Sequence, residues 1–355
     1  AALIRTRFSR IILLLAVLLV SVANTVNIAA DLASMAAALR LIVPIDQVVG
    51  VVGFALLIVV LEVTIPYHRY SKVLRWLCLS LLAYIAVLFV AKVDWQQVAF
   101  SAFVPAIDFN KATLALLIAL AGTTISPYLF FWQAAEEVEE RHQAPEGFDL
   151  DGGVGEAEEH PGGVNHSHVS AMRGDVFSGM LTGVMIMFAI MATAAATLNA
   201  TGILAINSAE DAAQALKPIA GEFAGLLFLL GILGVGLLAI PVLAGATAYA
   251  LAETFGWTES LELAPRKAKA FYSVIVISVL VAVLLNLVGI EPMHFLFLAA
   301  LLNGLTAPIL MVLVFILARD KKLLGRWASP VWSQILLAVA ILAMVALPIA
   351  WLFAK

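Results

Sequence analysis

The chain has 355 residues, of which 63% are hydrophobic and 12% charged, with a formal net charge of −4. A soluble domain is about one quarter charged, so this balance, with long apolar runs along nearly the whole length, excludes a globular protein with a single anchor and indicates a polytopic membrane protein whose solvent is the lipid bilayer. One cysteine, Cys78, excludes an internal disulfide framework.

Nine spanning segments are predicted in chain order: Ile11–Leu39, Val48–Ile65, Val73–Ala91, Ala112–Ala135, Val176–Leu198, Phe223–Leu251, Phe271–Val288, His294–Ala318 and Val331–Phe353. Each holds about the 20 residues that an apolar core of ~30 Å requires. The first is longer, which implies tilt or extension beyond the bilayer. Asn199–Gly221, between the fifth and sixth, is expected to form a short surface helix around Ala209–Leu216.

Basic residues set the orientation. Arg5, Arg7 and Arg10 precede the first span. The loops that fall on that same side hold fifteen of the twenty Lys and Arg. The N-terminus is therefore expected in the cytoplasm and the C-terminus outside, in a multi-pass protein of the plasma (inner) membrane. Residues 136–173 form an acidic, Gly-rich cytoplasmic segment with His142, His160, His166 and His168. His-x-His beside carboxylates can chelate a metal weakly, whereas a self-repelling, solvated linker explains the same composition.

The most informative stretch is Ala121-Gly-Thr-Thr-Ile-Ser-Pro-Tyr128, in the middle of the fourth span. Pro127 has no N–H and crowds the carbonyl four residues back, that of Thr123, so the helix is expected to break there. Thr124 and Ser126 add hydroxyls at a depth where an unpartnered polar group costs several kcal/mol. Broken helices at the membrane midplane build ion sites from backbone oxygens, and the C-terminal end of the first half-helix favours a cation. A plain proline kink is the alternative.

In the first span, Ser21, Asn24, Asn27, Asp31 and Ser34 recur at three- and four-residue steps and share one helix face. Such a stripe turns inward, and an intramembrane carboxylate such as Asp31 is costly enough to suggest a role on an ion or proton path. Helix packing is the other reading, preferred for Asn24. Glu62 is expected to snorkel or pair with Arg69. Asn303, Gly304, Thr306 and Pro308 make a soft polar spot in the eighth span that either completes a site or only allows close packing and bending. Gly231, Gly234 and Gly236 with Pro241 suggest close packing. No phosphate-cradling loop, Walker motif or Ser-His-Asp arrangement occurs, so neither an enzyme nor a nucleic-acid binder is expected.

Gly122-Thr-Thr-Ile-Ser-Pro-Tyr-Leu-Phe-Phe-Trp-Gln133 resembles the sixth helix of the natural resistance-associated macrophage protein (NRAMP) family of divalent-metal transporters. Ala23-Asn-Thr-Val-Asn-Ile-Ala-Ala-Asp-Leu32 resembles that family's third helix. The resemblance implies an all-α, LeuT-type inverted-repeat bundle, here a single transmembrane domain over residues 1–355 equivalent to family helices 3–11, with the first two helices absent. It implies a divalent cation as substrate, no cofactor and no obligate protein partner.

By the same resemblance, Thr123 matches the residue whose carbonyl binds metal. Ser126 stands where transition-metal members have methionine, and Tyr128 where they have a histidine linked to proton movement. Asp31 matches an acid of the proton route, and Ser34 replaces a second. Thr123 and Ser126 are thus the expected metal ligands, with Asp31, Tyr128 and Thr124 along the ion or proton route and Asn27 and Asn303 in support. Oxygen ligands suit hard ions, which favours Mg²⁺ or Mn²⁺ and the family's magnesium-transporting branch. A LeuT-like carrier of amino acids or other small organic solutes is the alternative.

Overall fold

The computed structural model describes residues 1–65, 72, 76, 79–90, 93–104, 109–143, 166–198, 202, 206–261, 263 and 265–354. Helices account for its regular structure, and no strand occurs among the described residues. A short helix α1 (Ala2–Arg7) precedes α2 (Arg10–Leu39) and α3 (Gln47–Thr64). Then follow α4 (Leu82–Val90), α5 (Trp95–Phe103), α6 (Lys111–Thr124) and α7 (Leu129–Gln143). The second half comprises α8 (His166–Thr197), α9 (Ala209–Gln214), α10 (Ala224–Phe255), α11 (Lys269–Asn286), α12 (Pro292–Ala318) and α13 (Val331–Phe353). Among the described residues, eight helices are long and apolar enough to cross a membrane, counting α6 and α7 as one, and the bent pair around α4 and α5 would make a ninth.

Local chemistry sets many of the helix ends. Ser9, Asp46 and Asn110 cap α2, α3 and α6 by accepting a bond from a first-turn N–H. Ser208 and Asp211 form a reciprocal capping box on α9, the short surface helix expected from the sequence. Gly256, with φ of 73°, ends α10 in the left-handed conformation that glycine tolerates.

At 30 residues α2 is about 45 Å long. It is the hub, packed on α10, α12, α11 and α3. Small residues allow close approach: a Cβ on Gly236 of α10 would lie 2.3 Å from the Met35 sulfur. Hydroxyls on apolar helices bond back to their own backbone, as Ser21 does to Val17 and Ser34 to Ala30.

Two expectations change. Residues 136–143 belong to α7 and residues 166–173 to α8, so the ends of the segment read as a loop are helical, because apolar spans on each side carry the helix onward. Residues 144–165, with His160, lie outside the described residues, as does much of Val73–Ala91. At Asn303–Pro308 the helix is uninterrupted and Gly304 is wedged against α6, in line with the close-packing reading. Glu62 does not snorkel: it is buried, and neither carboxylate oxygen has a partner among the described residues. Arg69 lies outside them.

Candidate cation site

The fourth span breaks where its sequence predicts. Helix α6 stops at Thr124, Ile125 leaves helical geometry at φ −119° and ψ 82°, and α7 begins at Leu129. The last backbone bond of the first half runs from Ile125 N–H to Ala121 O at 2.9 Å. Among the described residues, no backbone N–H reaches the carbonyls of Gly122, Thr123 or Thr124. The two halves then diverge in their packing. Helix α6 lies on α12 and α13, whereas α7 lies on α10.

Hydroxyls crowd the break. Those of Thr123 and Thr124 both donate to Leu120 O at 2.8 Å. Ser126 is buried, and its hydroxyl donates to Gly122 O at 3.3 Å and reaches Thr123 O at 3.5 Å. The structure thus brings Thr123 O and Ser126 Oγ together, with the Thr123 side exposed. The Thr123 carbonyl lacks its helical donor, as expected, and has this one long hydroxyl contact. A polar oxygen so weakly held accepts a cation at small cost.

The second constellation adjoins the first through glycine. A Cβ on Gly122 would lie 2.2 Å from Ala300 O and 2.3 Å from Gly304 N, so α6 and α12 touch backbone to backbone. Asn303, next to Gly304, exchanges two amide bonds with Asn27 of α2, at 2.9 and 3.1 Å. This pair ties the polar face of α2 to the helix that abuts the break. Asp31, one turn further along α2, is half-buried, and the Tyr128 hydroxyl lies within its electrostatic reach. No hydrogen bond among the described residues joins Asp31 to Ser126. Asn24 fits the packing reading: it donates to Leu243 O at 3.1 Å and Thr247 Oγ1 at 3.0 Å on α10.

Two partners of the site escape sequence reading. Met187 of α8 places its sulfur 3.6 Å from the Thr124 hydroxyl, and a methionine within an apolar span carries no signal of that. A Cβ on Gly245 would meet the Trp132 ring at 2.6 Å, which seats α7 against α10. No group of three or more His, Cys, Asp or Glu able to hold a metal occurs among the described residues.

The family model described as natural resistance-associated macrophage protein-like matches residues 1–354. The chain belongs to the Nramp family. A curated relative, the divalent metal cation transporter MntH of Caldanaerobacter subterraneus subsp. tengcongensis, is 24% identical over 257 residues. That alignment covers 72% of this chain and 54% of the relative, so the chain spans about half the length of the curated protein it matches. With the family shown, the organic-solute alternative has no comparison in its favour.

Proposed function

We propose that the protein is a secondary transporter, or the larger part of one, that moves a divalent cation across the plasma membrane. The observation that carries this reading is the break between α6 and α7, where the Thr123 carbonyl and the Ser126 hydroxyl meet beside carbonyls with no backbone donor. Family membership and the name of the relative agree with it. Thr123 O and Ser126 Oγ hold the ion, and the Asn27–Asn303 pair fixes the helices around it. Asp31 supplies a carboxylate on the polar face of α2 and acts on the ion path or carries a proton. Thr124 lines the same route. The excess of Lys and Arg on one set of loops supports a cytoplasmic N-terminus and an external C-terminus.

Hard oxygen donors at the break support Mg²⁺ or Mn²⁺ over softer ions. The test is competitive ion uptake in proteoliposomes. The unaltered protein takes up Mg²⁺ or Mn²⁺, Ser126→Met shifts relative uptake toward Cd²⁺, and Asp31→Asn lowers uptake with the fold retained. Uptake of amino acids with no divalent-cation flux sinks the proposal. Uptake ratios unmoved by Ser126→Met remove Ser126 from the ligand set.

A further inference from the structure

The far end of α7 carries a second polar assembly that the cation site does not use. Glu139, about 15 Å along the helix axis from Leu129, accepts a hydrogen bond from the Tyr249 hydroxyl of α10 and one from Leu261 N–H at 3.1 Å. Leu261 N–H is shared with the Tyr249 oxygen, also at 3.1 Å. From the other side, the Tyr272 hydroxyl of α11 donates to Leu261 O at 3.2 Å and to Leu263 O at 3.0 Å. One carboxylate and two phenols therefore pin the segment joining α10 to α11 onto the end of the broken span. The rings lie beneath it: Trp132 meets Tyr249 edge-on at 6.3 Å, and Tyr249 meets Phe271 at 4.8 Å.

We propose that Glu139, Tyr249 and the Leu261 backbone form a latch that holds α7 against α10 and closes the pathway at that end of the bundle. Three observations give it this role. The halves of the broken span pack on different helices, so relative movement between those helices concentrates at residues 125–128. The latch sits at the tip of the half-helix, where a small rotation at the break produces the largest displacement. Its polar part is short-range and charge-assisted, so it breaks abruptly once separation begins, whereas the Trp132 contact slides.

The surroundings keep the latch from being permanent. Desolvation first, then the Glu253 charge and more weakly that of Glu139, outweigh the opposing N-terminal ammonium and push the nearby Glu259 carboxyl up to about 7, so acidic groups gather beside the assembly. Opening at this end is the movement that would release a cation from the break, so the inference rests on the transport reading. The latch itself is a statement about geometry.

The experiment separates the two. Cys78 is replaced by serine and Ala135, buried on α7, by cysteine. The protein is reconstituted in lipid vesicles, and labelling by a membrane-impermeant thiol reagent is timed from each face. Losing a charge-assisted hydrogen bond shifts a two-state equilibrium roughly tenfold or more. Tyr249→Phe, which keeps the ring contacts, and Glu139→Ala are each expected to speed labelling roughly tenfold from the Leu261 side only. Unchanged labelling in both folded variants overturns the latch, whatever the ion flux. Faster labelling without divalent-cation uptake by the parent upholds the latch and removes the transport reading. Should both variants fail to assemble, hydrogen exchange at Leu261 in the unaltered protein decides. A protected amide is expected, and an amide exchanging as fast as open loop overturns the proposal.

Discussion

Residues 122–128 and 303–308 hold much the same ingredients: a glycine, a threonine and a proline within an apolar span. The first ends a helix at Thr124, while the second lies inside 27 uninterrupted residues of α12. Proline removes one backbone bond in each, so proline alone is not what separates them. Around Pro127, three hydroxyls turn back on the last helical turn, from Thr123 and Thr124 to Leu120 O and from Ser126 to Gly122 O. They offer the backbone carbonyls an alternative to the next N–H. Around Pro308, the carbonyl four residues back belongs to Gly304, which α6 grips so closely that a Cβ there would lie 2.2 Å from Ile118 O. Gly122 is gripped just as closely, so the hydroxyls competing for carbonyls around Pro127 are what separate the broken helix from the continuous one.

The largest test of that contrast is at the glycines. Gly122→Ala and Gly304→Ala each drive a methyl into backbone rather than into a yielding side chain. Overpacking of this kind costs about 3 kcal/mol, against which the helix-propensity gain of about 1 kcal/mol is smaller. Both variants should unfold at lower temperature in detergent, and a Tm within experimental error of the parent would show that the two helices can separate freely.

A smaller effect is expected at the amide pair. Asn27→Leu or Asn303→Leu leaves the other amide without its mate, at about 2 kcal/mol, while the double variant recovers part of the loss because no polar group is stranded. Additive losses would mean that the pair contributes nothing jointly.

The smallest effect lies outside the spans, at Glu259. Its folded-state carboxyl, near 7, stands above the ordinary value of 4.5. Its contribution is therefore fully present below about 4.5 and is lost as pH rises through about 7. Glu259→Gln should flatten the fall in Tm between those limits. An identical pH profile in the variant would assign the slope to other groups.

The spans and the break were legible because hydropathy and proline chemistry are local properties. The stripe on α2 was legible too, because helical periodicity places Asn24, Asn27 and Asp31 on one face. What those residues touch was not. Nothing near Asn27 in sequence points to Asn303, and Asn303 looked like part of a bend because its neighbours are glycine and proline. Glu139 was lost in a run read as a solvated loop, where acidic composition outweighed the continuing helix. Met187 gave no signal, since thioethers are ordinary in apolar spans. Composition reports environment, whereas partners depend on a crossing geometry that one helix does not encode.

The polar face of α2 has a consequence for assembly of the protein in the cell. Asn24 bonds to a carbonyl 219 residues further on, Ala29 O accepts from Asn286, 257 residues on, and Asn27 pairs with a residue 276 on. A ribosome adding roughly 5–20 residues per second needs on the order of 10 to 60 seconds to supply them. Throughout that interval α2 holds amides whose mates do not yet exist. It must wait at the insertion machinery, beside water, or against provisional neighbours in the bilayer, so residues more than 200 positions further on decide when α2 finishes folding.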